Sequence, residues 1–314
     1  MAPKSAKKHH SAKNPHRNRQ RTNANRGLMN ARADQNDTIK GVSHQERLAT
    51  FKNKTAPKPP QNGYFIWGRH AVFAALANPE RRIQQIYATA DSNSELQRVL
   101  GDLDPQRKVE LPRSQVIDRA RLDAIGGKTE KAVHQGIAVA VWPLNPPHFD
   151  PFLDGIKNTL EKRNPATVRL LLLDQILDPR NFGAIMRSAQ AFGVTGVITT
   201  FRNAANENGV LARAASGALD YVPLIRVVNL ARAIEKIRHL GFFVAGLAGD
   251  GNADVKSLGP HKHLAIILGA EGSGLRRLSR DHCDMLVRIN IDSNSDSLNV
   301  SNAAAVALYA ASQH

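Results

Sequence analysis

From residue 168 to residue 312 short apolar runs alternate with segments of helical spacing, and no other feature so narrows what this chain can fold into. VRLLLLD (168–174) is apolar almost without a break, the pattern of a strand buried on both faces of a parallel sheet. Helix 182–192, strand GVITT (196–200), helix 206–215 and strand YVPLI (221–225) are predicted to follow it. Helix 229–239, strands 242–247 and 264–269, a short helix near 275–281, strand 285–290 and a final helix over about 298–312 complete the series. Units alternating at this length predict an α/β domain over 166–314, a parallel sheet covered by helices.

A smaller α/β unit over 62–143 precedes it. Apolar spacing predicts a helix from His70 to Ala77, stopped by Pro79, then strand 83–90 and helix 94–103. KVEL (108–111) reads as a strand, 113–125 as a helix and GIAVAVW (136–142) as a strand. Four prolines in PLNPPHFDP (143–151), with a helix near 152–162, make 144–165 a linker.

The N-terminus has another character. Residues 1–60 hold 14 Lys/Arg and 3 Asp/Glu, a net +11 out of +16 for all 314 residues. This stretch lacks apolar periodicity, so 1–61 is predicted to be a disordered basic tail and linker. Such an arm suits nucleic acid through counterion release; a solubilising tail and a transit peptide are the alternatives. No apolar run approaches the roughly 18 residues that span a bilayer, which speaks against a membrane partner. A single cysteine, Cys283, excludes an internal disulfide and fits a reducing, cytoplasmic setting. It reads as a packed side chain. His261 and His263 have no third ligand near them in sequence, so no metal site is expected.

Three segments of the larger unit carry candidate chemistry. In LDQILDPRNFGAIMRSAQAFG (173–193), Asn181 is placed to cap the next helix and Gly193 to end it. Gly183 and Arg187 share a helix face, so a small residue opens space beside a guanidinium; a solvated helix charge is the plainer reading. IILGAEGSGL (266–275) spaces its glycines G-x-x-G-x-G, the reverse of the dinucleotide pattern, with Glu271 inside the turn. A diphosphate would be repelled there, whereas S-adenosylmethionine, a sulfonium without phosphate, is suited; a plain strand-to-helix turn is the alternative. INIDSNSDSLNVSNAAAVALYAAS (289–312) gathers Ser297, Asn299, Ser301 and Asn302 at a helix start, more than one cap requires. GGKT (126–129) lacks the leading glycine of a phosphate loop, because Leu122 stands in its place, though Lys128 and Lys131 leave an RNA-contacting loop open. His134 has two readings, an RNA contact or a partner for a backbone carbonyl.

DPRNFGAIMRSAQAFG, LGAEGSGL and SLNVSNAAAVALY resemble the three signature motifs of the SpoU (TrmH) family of SPOUT-class RNA 2′-O-ribose methyltransferases, over about 166–312. YFIWGRHAVFAALANPERRIQQIYAT and KAVHQGIAVAV resemble that family's ribosomal-protein-like substrate-binding domain. Together, 62–312 resembles the enzymes that methylate a guanosine ribose of large-subunit, 23S-type ribosomal RNA. The resemblance implies a C-terminal trefoil knot, a homodimer formed through it, S-adenosylmethionine as cofactor and RNA as partner. It assigns Asn181, Arg187, Glu271, Ser297 and Asn299 to catalysis, and Gly269, Ile289 and Leu298 to the cofactor. Asn290 stands where close relatives often carry proline, which bears on loop rigidity.

Chemically, a 2′-hydroxyl needs proton removal or tight positioning before it attacks a methyl group. Arginine stays protonated, so Arg187 is expected to grip a phosphate, and the proton to pass to a phosphate oxygen. Ser297 and Asn299 would order the hydroxyl and its loop, and Asn181 and Glu271 would hold helix and turn together. A transfer-RNA substrate and a non-catalytic RNA-binding or ribosome-assembly protein are the alternatives. A dinucleotide oxidoreductase is disfavoured by the glycine spacing.

Overall fold

The structure, a computed structural model, describes residues 56–126, 133–163, 166–294 and 297–313. Residues 1–55 of the basic tail, together with Lys128 and Lys131, lie outside the described residues. The first sheet has four strands in the order β1-β4-β2-β3: β1 (Tyr64–Trp67), β2 (Ile83–Ala88), β3 (Ser114–Val116) and β4 (Ile137–Val141). Every residue of the inner strand β4 is buried, as its unbroken apolar run requires. It pairs antiparallel with β1 and β2, while β3 adds to β2 in parallel. Helices α1 (Arg69–Ala77) and α2 (Ala90–Asp102) accompany this sheet, α1 at the bounds its apolar spacing predicts.

Two expectations fail here. KVEL does not extend: Lys108, Val109 and Glu110 end helix α3 (Pro105–Glu110), which Asp104 caps by accepting from Gln106 N at 2.8 Å. Val109, whose apolar character suggested a strand, is 87% exposed. The helix expected over 113–125 divides into β3, recruited by the free edge of β2, and α4 (Arg119–Asp123), capped by Asp118.

The second sheet has seven strands, all parallel, in the order β7-β6-β5-β10-β8-β11-β9. β5 (Val168–Leu173), β6 (Gly196–Thr200), β8 (Phe243–Leu247), β10 (His263–Leu268) and β11 (Met285–Arg288) fall where expected. β7 (Leu224–Val227) starts three residues later than predicted, because Ala218–Asp220 make a 3₁₀ turn before it. The edge strand β9 (Ala253–Asp254) was not expected. Helices α6 (Pro179–Ala191), α7 (Gly209–Ala215) and α10 (Val300–Ala311) cover one face; α5 (Phe149–Leu160) and α8 (Leu230–His239) cover the other. Among the described residues no helix is long and apolar enough to cross a membrane.

The first sheet docks on α7. Ile66, Val72 and Leu76 share one buried cluster with Phe182, Leu211 and Ala215. Gly209 permits the approach, since a Cβ there would lie 2.0 Å from Cζ3 of Trp67. A buried cation fastens the join. Arg81 is 0% exposed; its Nε donates to Asp220 at 2.8 Å and its Nη1 to Glu207 at 2.6 Å and to the Tyr64 hydroxyl at 3.1 Å. Tyr64 also donates to Glu207. Burial opposes the charge on Arg81, but its hydroxyl and carboxylate neighbours more than restore it. Burial raises the Asp220 carboxyl, against the pull of Arg81. Removing one member strands the others in low dielectric, so Arg81→Ala should destabilise the protein by about 3–5 kcal/mol. A large fall in the urea midpoint is expected; an unchanged midpoint would show that the triad does not hold the join.

Candidate active site

A parallel sheet offers a ligand crevice where strand order reverses, beyond the carboxyl ends of the strands. Here the reversal lies between β5 and β10. From β5 the chain winds outward through β6 and β7, then returns to build β8, β10 and β11 on the other side. Leu173 and Leu268 are paired neighbours at the ends of β5 and β10, so the loops that follow leave the sheet side by side.

The first loop enters α6 under a cap, though not the expected one. Asp178 is the cap, accepting from Arg180 N at 2.6 Å and Asn181 N at 3.3 Å, with Pro179 beginning the first turn. The side chain of Asn181, relieved of capping, donates through Nδ2 to Glu271 at 2.8 Å. Asn299 Nδ2 reaches the same Glu271 oxygen at 3.0 Å and Asn181 Oδ1 at 3.0 Å. Three residues far apart in sequence thus close a triangle. Asn299 also caps α10, accepting from Ser301 N at 2.8 Å and Ser301 Oγ at 2.6 Å. The polar excess at this helix start is thereby divided between capping and the triangle.

The glycine turn is built for close backbone approach. Ala270 and Gly274 exchange backbone hydrogen bonds of 3.1 and 2.9 Å, and a Cβ on Gly269 would lie 2.2 Å from the Gly274 carbonyl carbon. Asp174, fully buried at the end of β5, anchors the turn's exit by accepting from Arg276 Nε and Ser279 Oγ, each at 2.6 Å. Beside the turn opens a cavity of about 280 Å³. Gly269, Ile289 and Leu298 line it with Glu271 and Ser297, and among the described residues Glu271 is the only charged side chain in its walls. Asn290 is tied at both ends, donating to Asp254 at 2.6 Å and accepting from Arg288 Nε at 3.1 Å. Side-chain hydrogen bonds do the stiffening that a proline would do.

Arg187 lies elsewhere. It is exposed, six residues beyond Asn181 and so about 9 Å farther along α6. It lines a second cavity of about 480 Å³, bounded by Trp67 and His70 of the first sheet's unit and by Arg213 of α7. Gly183 does not open space beside it: a Cβ there would meet Leu211 O at 2.5 Å and Ala214 Cβ at 2.6 Å. The glycine instead lets α7 press against α6. Gly193, with φ +66°, ends α6 as expected.

The model of the SpoU rRNA methylase family matches residues 169–309, and that of the RNA 2′-O ribose methyltransferase substrate-binding family matches 65–147. The 23S rRNA (guanosine-2′-O-)-methyltransferase RlmB of Photobacterium profundum is 36% identical over 252 residues, covering 78% of this chain and 96% of that protein. RlmB of Pseudomonas aeruginosa is 33% identical over 244 residues, covering 78% and 94%. The chain belongs to the SpoU family. The fold agrees with the crystal structure of the SpoU methyltransferase AviRb from Streptomyces viridochromogenes in complex with AdoMet: TM-score 0.60, 21% identity, covering 86% of this chain and 93% of that one.

Several residues of this SpoU-family site escape sequence reasoning. Asp174 has a faint signal, a carboxylate directly after a buried strand, but Arg81 and Asp178 have none that sets them apart. His134 meets neither reading: it is buried, with Nε2 3.0 Å from Asp123 and Nδ1 accepting from Gly136 N at 2.9 Å. Burial first, then Asp284, pushes the Cys283 thiol up to about 12, so it packs as a neutral group. His261 stacks on Phe243 at 3.6 Å, and the His263 ring lies 5.9 Å from that of Phe242. Gly269→Ala should force the turn open, costing about 1–3 kcal/mol in urea unfolding. Faster amide exchange at Ala270 and Gly274 is expected with it; native protection at both would refute the close-approach role.

Proposed function

We propose that this chain transfers a methyl group from S-adenosylmethionine to a ribose 2′-hydroxyl of RNA, and that a guanosine of large-subunit, 23S-type ribosomal RNA is its substrate. The observation that carries this is the Asn181–Glu271–Asn299 triangle at the rim of the 280 Å³ cavity. The walls fit the cofactor: Gly269, Ile289 and Leu298 offer backbone and apolar contacts, and among the described residues no cation lines the cavity to hold a phosphate. Leu298 is 36% exposed, an apolar side chain with surface left to cover. The RlmB relatives, named 23S rRNA (guanosine-2′-O-)-methyltransferases, support the substrate.

Held against Gly269, Ile289 and Leu298, S-adenosylmethionine would supply an electrophilic methyl for the 2′-oxygen, in exchange for the hydroxyl proton. Arg187, with its planar guanidinium fork, grips a phosphate of the target nucleotide and keeps the hydroxyl in line. A phosphate oxygen so held takes the departing proton. Ser297 and Asn299 order the hydroxyl and the loop above the cavity, while Asn181 and Glu271 keep helix and turn in register.

The same reading takes 62–143 as the RNA-binding domain, 144–165 as its connection and 166–314 as the methyltransferase domain. A trefoil knot suits the path of the C-terminal segment, which leaves β11 and returns to α6 through Asn299. A homodimer through α10 is supported by Val306 and Tyr309, exposed one turn apart on that helix. The basic residues of 1–60 add affinity for RNA, and a ribosomal RNA substrate fits a cytoplasmic setting.

Incubation with labelled S-adenosylmethionine and either ribosomal or transfer RNA, followed by mapping of the blocked 2′-hydroxyl, tests the reaction. Transfer to a guanosine of ribosomal RNA is expected; transfer to tRNA alone, or none, would overturn the reading. Arg187→Lys should slow single-turnover transfer about 10²-fold with unchanged cofactor affinity, because lysine cannot reproduce the planar fork. Full activity would remove Arg187 from the chemistry.

A further inference from the structure

The 480 Å³ cleft does not belong to the cofactor cavity, and its lining has a distinct chemistry. Arg180, Arg187, Arg213 and His70 lie on it, and among the described residues no Asp or Glu does. Arg187 and Arg213 are exposed, and neither has a carboxylate within ion-pairing distance among the described residues. Two guanidiniums on adjacent helices repel one another, so an arrangement that keeps both unpaired favours an anion between them. The contact of Gly183 with Leu211 and Ala214 keeps those helices close enough to share one.

A second observation comes from the opposite wall. Trp67 lines the same cleft and is 6% exposed, yet its Nε1–H has no hydrogen-bond acceptor. Its benzenoid edge is committed to Gly209, the approach that docks the two units. A buried indole donor without a partner is costly unless something fills that place. The cleft therefore offers exposed cationic forks on one wall and, on the other, a buried indole whose N–H is unsatisfied.

We infer that this cleft is a phosphodiester cradle: Arg213 and Arg187 hold a backbone phosphate of the RNA strand, against a wall that carries Trp67 and His70. The inference rests on the RNA reading only in taking the polyanion to be RNA. Arg213 is a positioning residue, acting on the strand and not on the reacting atoms. The buried Arg81 triad keeps the two walls at a fixed separation, so the cradle is preorganised.

Binding of a short oligouridylate to the full-length protein, measured from low to high salt without cofactor, tests this apart from catalysis. Arg213→Gln should weaken binding about tenfold near physiological salt and reduce the slope of log K against log salt by about 0.7, the value for one contact to a single strand. Arg213→Lys should restore the slope. Arg232→Gln, an exposed arginine on the sheet's other face, should change neither quantity. S-adenosylmethionine affinity, read by calorimetry, should be the same in all four proteins. An Arg213→Gln slope equal to wild type, an equal effect of Arg232→Gln, or failure of the wild type to bind the oligonucleotide would each overturn the cradle. Absence of methyl transfer by the wild type would instead overturn the proposed reaction and leave these binding results standing.

Discussion

Every candidate site residue of the larger unit depends on one pairing, that of β5 with β10. Six consecutive residues of each run in parallel register, from Val168 beside His263 to Leu173 beside Leu268. Their side chains are nearly all buried, so a slip of one residue would turn each to the wrong face. The backbone extends the pairing one step further: Asp174 N donates to Leu268 O at 2.8 Å. From that point the carboxylate of Asp174 takes over, fastening Arg276 and Ser279. A hydrophobic register thus becomes a polar one at the sheet's edge. Asn181 and Glu271, 90 residues apart, meet at 2.8 Å because their strands are already aligned.

The strand–helix rhythm made most of this legible in the sequence. Apolar runs bounded by turns marked five strands of the larger sheet, and the parallel arrangement followed from the intervening helices. Motif position marked Asn181, Glu271 and Asn299, which meet in one hydrogen-bonded triangle, and Gly269, Ile289 and Leu298, which share one cavity. What stayed hidden depends on partners distant in sequence. KVEL has strand-like composition, but Asp104 and Pro105 start a helix ahead of it, and a short segment follows its cap. β3 exists because β2 has a free edge, which no local pattern announces. Asn181 has the pattern of a cap, but Asp178, three residues earlier, is as good a cap and has proline after it. Arg81 sits beside Arg82 in a polar stretch; only the fold buries one of them against Asp220 and Glu207.

Helix α6 joins the two cavities. Its first turn is fixed by the Asp178 cap and by Asn181's bond to Glu271, so the N-terminal end is tied to the glycine turn. Its middle is fixed by Gly183 against α7, and α7 in turn carries the first sheet's unit through Gly209 and Trp67. Arg187 projects from the stretch between these constraints. A rigid helix held at two points gives its side chain little freedom of origin, although the guanidinium itself is exposed. The separation of about 9 Å from Asn181 is then set by helical rise. It exceeds the reach of a hydrogen bond and is comparable to the span of one nucleotide. A strand held by its phosphate at Arg187 could therefore present its ribose toward the triangle, with neither cavity having to change shape. The small residues at positions 183 and 209 matter to that geometry as much as the charged ones, because they set how far apart the charges stand.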